Sequence, residues 1–181
     1  TTKNKKEAPD GLWYKCKECK EASTMKEFKE NYYKCPKCDY HARIGSKEYF
    51  EIIFPQGHTA LFNNIESEDF LNFVDLKPYK DRLVDAKKKT KLDDALSVAY
   101  GQLGEFKIPL TVACMDFSFI GGSMGSVVGE KIALAIEYCI EKKSALLIIS
   151  KSGGARMMES AFSLMQLAKT SSMLTLLADE G

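Results

Sequence analysis

Several large protein classes are excluded by what this chain lacks. No apolar run approaches the roughly 20 residues that cross a bilayer, so no membrane span is expected. The first ten residues, Thr1 to Asp10, hold no apolar stretch of the kind found in secretory signals, although the absence of an initial Met leaves a processed presequence open. Only two histidines occur in 181 residues, and none follows His58. Neither Gly-x-x-x-x-Gly-Lys-Ser/Thr nor Gly-x-Gly-x-x-Gly is present, which removes two common signatures of phosphate binding. The net charge is only +1, unlike that of a protein built to coat polyanions.

What is present divides unevenly. Residues 1–47 carry 12 Lys and Arg against 7 Asp and Glu, a surplus of +5, and the remaining 134 residues carry 14 against 18, a deficit of 4. A small basic module therefore precedes a mildly acidic body. With 45% hydrophobic residues, the body is long enough to bury a real core.

The cysteines mark the same boundary. Cys16-x-x-Cys19 and Cys35-x-x-Cys38 are separated by fifteen residues, enough for a short hairpin that brings the two pairs onto one ion. This is zinc-ribbon spacing, and four thiolates at about 2.3 Å would close a tetrahedral shell, making the metal structural rather than catalytic. Two disulfides are the rival reading, but nothing here points to an oxidising compartment. So short a segment has little apolar surface, and metal binding, worth about 10–16 kcal/mol in small zinc peptides, would supply much of its folding energy. His41 is expected to be a surface or packing residue, since four cysteines already complete the shell. Cys114 and Cys139 stand alone among apolar neighbours and read as small buried hydrophobes.

Along the body, residues 46–96 read as a helical connector. Ser46 is placed to cap a helix through Phe54, and Asp69–Phe73 and Tyr79–Thr90 suggest two more helices. Lys87, Lys88 and Lys89 read as a solvated helix face rather than a phosphate contact. Residues 97–103 and 108–116 then form a strand, turn and strand. A glycine-rich turn, Gly121-Gly122-Ser123-Met124-Gly125, opens a helix from about Val127 to Lys143. Residues 145–150 have the continuous apolarity of a strand covered on both faces. A second turn, Ser152-Gly153-Gly154-Ala155-Arg156, leads into a long helix ending near Asp179. The class is layered α/β, with each glycine turn at a strand-to-helix transition. No strand follows the last helix, so other segments are expected to complete the sheet.

Glycines at a helix start allow backbone N–H groups to converge on an anionic atom. Three uses compete with simple tight packing. Phosphate binding lacks its motifs. A serine hydrolase is suggested by Gly121-Gly122-Ser123-Met124-Gly125, a formal Gly-x-Ser-x-Gly, but no histidine follows to serve Ser123. An oxyanion hole beside a thioester needs little besides aimed N–H donors. Arg156 is either a contact to a ligand phosphate or a partner in an ion pair near the helix cap.

The stretches Phe117–Lys131, Ser152–Glu159 and Ser163–Gln166, with Tyr79–Leu83 and the four-cysteine ribbon, resemble one family over about residues 11–181. It is the β subunit of the multi-subunit acetyl-CoA carboxylase carboxyltransferase, bacterial or plastid. The resemblance implies a ribbon at 11–45, the connector at 46–96, and the N-terminal part of a crotonase-like domain of β-β-α units at 97–181. It implies transfer of a carboxyl group from carboxybiotin to acetyl-CoA, giving malonyl-CoA for fatty-acid synthesis. The enolate would be held by the backbone N–H groups of Gly153 and Gly154, with Gly121, Gly122, Ser123 and Arg156 as further substrate contacts. Met158 stands where the family usually has Gln, a change that leaves backbone donors untouched. Biotin would arrive on a separate carrier protein and take up the substrate's proton after releasing CO2. The implied partners are an α subunit, in an α2β2 arrangement, the biotin carrier protein and biotin carboxylase. The implied compartment is the cytoplasm, or the stroma of a plastid. Family members continue well past position 181, so this chain alone is expected to be inactive.

A second function of another class is a ribbon that binds nucleic acid, through its basic surplus and Trp13, Tyr14, Tyr32 and Tyr33. Binding that weakens steeply with salt would mark it. The metal assignment itself predicts one zinc per chain. Replacing Cys35 with Ser should lose the metal and unfold residues 11–45 while the body stays folded, and full zinc occupancy in that variant would refute the assignment.

Overall fold

A computed structural model describes residues 12–180; the stretch Thr1–Asp10, and the expected outer limits Gly11 and Gly181, lie outside the described residues. The chain forms two compact units, one ending at Ile44 and the other beginning at Gly45.

In the first unit, β1 (Trp13–Lys15) pairs antiparallel with β2 (Ala22–Thr24), and α1 (Met25–Glu30) follows directly. Thr24 and Glu27 start the helix with a reciprocal capping box: Thr24 Oγ1 accepts from Glu27 N at 3.1 Å, and Glu27 accepts from Thr24 N at 3.0 Å. The apolar content is small. Phe28 stacks on Tyr14 and meets Tyr33 edge-on at 5.5 Å, and these three rings are most of what the unit packs around.

The second unit is built on a four-stranded sheet in the order β3 (His58–Leu61), β4 (Leu96–Leu103), β5 (Ile108–Met115), β6 (Ala145–Ile149). The β4–β5 hairpin is antiparallel, with Leu96 opposite Met115 and Leu103 opposite Ile108. Strand β6 then runs parallel to β5, so α4 (Ser126–Lys142) is the crossover of a β-α-β unit. Alternate residues of one strand point to opposite faces. On β5, Leu110, Val112 and Cys114 pack under α2 (Ser46–Ile53) with Phe50 and Phe54, while Ala113 and Met115 face Val128, Ile132, Ala135 and Ile136 of α4. Both faces of β5 are covered, which is why it reads as an unbroken apolar run, but β6, expected to be covered on both faces, is not: Ala145 and Leu147 are exposed and its other residues half-buried. Tyr79 and Leu83 of α3 (Tyr79–Thr90) join the α4 side.

Residues 46–96 are more than the helical connector that composition suggested. They contain β3, which pairs with β4 through four residues, and the first residue of β4 itself. Asp69–Phe73 is not a helix; Asp69 Oδ1 accepts from Phe73 N at 3.0 Å and holds a turn instead. Nor does Ser46 cap α2. Gly45 is the cap residue, and the free amides are met by Asp116 Oδ1, 2.8 Å from Ser46 N, and by Glu48, 2.7 Å from Gly45 N.

Helix α5 (Ser160–Asp179) lies along α4. Its buried residues are Ser163, Gln166 and Thr170, small or polar, while Phe162, Leu164, Met165, Leu167, Leu174 and Leu176 are exposed. A helix apolar on its outer face belongs to a larger packed body. Strand β6 likewise has no neighbour on its outer side among the described residues. Among those residues no helix is long and apolar enough to cross a membrane.

The α4–α5 contact depends on a missing side chain. A Cβ at Gly129 would stand 2.1 Å from Gln166 Oε1 and 2.7 Å from Gln166 Cβ, and the latter cannot retreat unless α5 moves. Gly129→Val should therefore destabilise the second unit by about 1–3 kcal/mol, read as a lower midpoint in chemical denaturation. An unchanged midpoint would mean that the helices are not packed this closely.

Candidate functional site

The four cysteines converge. Their sulfurs all lie within 4.8 Å of one another, with Cys16 Sγ to Cys38 Sγ and Cys19 Sγ to Cys35 Sγ both at 3.7 Å. A tetrahedron with metal–sulfur bonds of about 2.3 Å has sulfur–sulfur edges of about 3.8 Å, so this group can hold one metal ion with little adjustment. Backbone N–H groups of Lys37 and Cys38 bring the Cys35 thiol down to about 7, while burial and the hydrogen bonds of the neighbouring cysteines push the Cys38 thiol up to about 12. His41 is exposed and stands outside the group. Cys114, by contrast, is fully buried, and burial pushes its thiol up to about 12, consistent with an inert packing residue.

The two glycine turns, far apart in sequence, are laced to each other. Gly153 N donates to Gly121 O, Met124 N to Gly154 O, and Arg156 N to Met124 O, each at 2.9 Å. These bonds separate the two expected oxyanion donors. The Gly153 amide is committed to Gly121. The Gly154 amide meets only the hydroxyl of exposed Ser152, at 3.0 Å. Gly154 is exposed and has φ +107°, with nothing within 4 Å of where a Cβ would be, so the Cβ side of this turn is open to a ligand.

Beneath the turns lies a cluster of charges. Arg156 is completely buried. Its Nη2 donates to Asp94 Oδ1 at 2.7 Å and to the Ser123 carbonyl at 2.9 Å, and its Nε donates to Ser123 Oγ at 3.1 Å. Its Nη1 reaches Ser67 Oγ, Tyr79 OH, Asp94 Oδ2 and Glu159 Oε1 between 2.9 and 3.2 Å. Glu159 Oε1 also accepts from Tyr79 OH at 2.7 Å, and Glu159 Oε2 accepts from Ser126 N, the first amide of α4, at 2.6 Å. Burial alone would raise the Asp94 pKa, but the hydrogen bonds and charge of Arg156 overcome it and hold the carboxyl below its usual range. Burial pushes the Tyr79 phenol up, so it remains a donor. One guanidinium faces two carboxyl groups, and the positive end of α4 supplies compensation on the Glu159 side.

This geometry corrects several expectations. Arg156 does not reach a ligand phosphate, because every guanidinium nitrogen is engaged inside the protein. Ser123 is buried and its hydroxyl accepts from Arg156, which removes it as a substrate contact and as a hydrolase nucleophile. Gly122 is buried too, with the Lys151 carbonyl 2.2 Å from where its Cβ would stand; of the three substrate contacts expected in that turn only Gly121 keeps partial exposure. Of the four aromatics offered for stacking on nucleic acid, Tyr14 and Tyr33 pack on Phe28, while Trp13 and Tyr32 are 60% and 70% exposed. Asp94, Glu159, Tyr79 and Ser67 were not singled out from the sequence. Asp94 and Arg156 are 62 positions apart, and no spacing rule joins them.

No family model matches the chain. It is 58% identical over 180 residues to the acetyl-coenzyme A carboxylase carboxyl transferase subunit beta of Pedobacter heparinus, covering 98% of this chain and 63% of that protein. It is 55% identical over 178 residues to the subunit of the same name from Amoebophilus asiaticus, covering 98% and 62%. In structure it resembles transcarboxylase 12S, solved with hydrolysed methylmalonyl-coenzyme A bound, with a TM-score of 0.60 at 19% identity over 84% of this chain and 25% of that one. A Pseudomonas malonate decarboxylase hetero-dimer gives a TM-score of 0.51 at 22% identity over 74% and 47%. These likenesses show the fold, which is α/β and crotonase-like. The chain spans a little under two thirds of the length of the curated relatives it matches, and over nearly all of its own residues it is similar to acetyl-coenzyme A carboxylase carboxyl transferase β subunits.

Proposed function

We propose that this chain is the acyl-CoA-handling part of a carboxyltransferase, moving a carboxyl group from carrier-borne biotin to acetyl-CoA to give malonyl-CoA. The observation that carries the reading is Gly154. Gly154 is exposed, its amide donates only to a neighbouring hydroxyl, and backbone bonds tie its turn to the first glycine turn. A thioester oxygen can replace Ser152 Oγ as the acceptor. As the acetyl methyl loses its proton, negative charge collects on that oxygen, and one pre-aimed donor stabilises it by about 2.7–4 kcal/mol. Gly153, whose own N–H is committed, acts by bracing Gly154 and by leaving room for the thioester.

Arg156, Glu159 and Asp94 are locked together and have no path to a substrate, so none of them is the general base. Biotin, on its carrier protein, supplies the transferable carboxyl group. The α subunit supplies the surface for that carrier, and the exposed apolar residues of α5 favour such an assembly, α2β2 with the carrier and biotin carboxylase beside it. We take the ion held by Cys16, Cys19, Cys35 and Cys38 to be zinc, serving to fold the ribbon, and the setting to be the cytoplasm or a plastid stroma.

In the enzyme assembled with its partner subunits, Gly154→Val should lower carboxyl transfer by roughly a hundred- to a thousand-fold, because a β-branched residue strains the turn and crowds the thioester. Ser123→Ala should be far milder. A dead Ser123→Ala beside an active Gly154→Val would overturn the assignment in favour of hydrolase chemistry.

A further inference from the structure

The charge cluster under the glycine turns does more than neutralise a buried arginine. Its members come from five places: Ser67, Asp94 ahead of β4, Tyr79 on α3, Ser123 in the first turn, and Arg156 with Glu159 in the second. Arg156 binds both the hydroxyl and the carbonyl of Ser123, so the guanidinium grips the backbone of the first turn from the second. Glu159, the residue immediately before α5, accepts from the first amide of α4. The starts of both helices and both turns are thus pinned by two adjacent side chains, and Asp94 and Tyr79 fix those side chains in turn.

A guanidinium is a planar fork, and satisfying its donors in one geometry fixes its plane. Fixing that plane fixes Ser123, and the backbone bonds of Met124 to Gly154 and Arg156 carry the restraint to the Gly154 amide. We propose that Asp94, Tyr79, Arg156 and Glu159 form a positioning device that locks the two glycine turns into one unit and sets the aim of the Gly154 N–H. The proposal rests on the acyl-binding reading of Gly154 for its catalytic consequence, but the coupling of the turns is a property of the chain itself.

Two substitutions test it. Arg156→Lys keeps the charge and loses the fork. Tyr79→Phe removes one hydroxyl and leaves the ion pairs standing, so it decides the matter if the lysine variant fails to fold. In the 181-residue chain, amide hydrogen exchange should quicken by about ten-fold in residues 121–126 and 152–156 together, with the ribbon unaffected. In the assembled enzyme, kcat should fall about ten-fold while KM for acetyl-CoA stays within about two-fold, the split expected when an interaction acts in the transition state alone. Loosening of one turn without the other, or of neither, overturns the coupling. Coupled loosening with an unchanged kcat, or an activity loss that only tracks the loss of folded protein, overturns the positioning role. If the unmodified assembly does not carboxylate acetyl-CoA, the acyl-binding reading falls, and the exchange data still decide whether the cluster couples the turns.

Discussion

An arginine side chain with no access to water must find every partner within the protein, and that requirement organises the second unit. Arg156 draws to itself two acids, two hydroxyl-bearing residues from the segment before β4, and the backbone of a turn more than thirty positions away. Removing one partner of such a buried pair leaves the other charge stranded, typically at about 3–5 kcal/mol. The cluster therefore tolerates little rearrangement. On the proposed acyl-binding reading that intolerance is useful, because it would keep the Gly154 amide aimed.

The division between the turns follows from the same constraint. Four glycines stand at or near the crossing of the two turns, yet they do different things. Gly122 is small because the Lys151 carbonyl lies against it, Gly153 because a Cβ there would stand 3.1 Å from the Gly121 carbonyl oxygen, and Gly154 because its φ of +107° favours glycine. Of the two expected oxyanion donors, only the Gly154 amide is free of a backbone partner, donating instead to the Ser152 hydroxyl.

The ribbon solves a different problem. Its apolar packing is little more than three rings, and four cysteines at tetrahedral spacing could supply what the apolar surface lacks by holding a metal ion. The body has the opposite surplus, with more apolar surface on α5 than its own layers cover.

Much of this was legible in the sequence because it depends on local periodicity. The paired cysteines, the apolar runs of β5 and β6, the α4 stripe and the glycines before each helix all repeat at the spacing of the element they form, and α4 begins within a residue of where the pattern placed it. Strand β3 was missed, since His58, Thr59 and Ala60 are exposed and carry no apolar alternation, and it becomes a strand through pairing with β4. The roles of Ser123, Gly153 and Arg156 were also beyond the sequence. Residue type and spacing say that an arginine beside a helix start can bind an anion, but not whether that anion is a ligand or Asp94, because the two are separated by 62 residues of chain that only folding brings together. Local patterns decide which segments become helix or strand. Tertiary structure decided which donors, those of Arg156 and Gly153 among them, are already taken inside the protein.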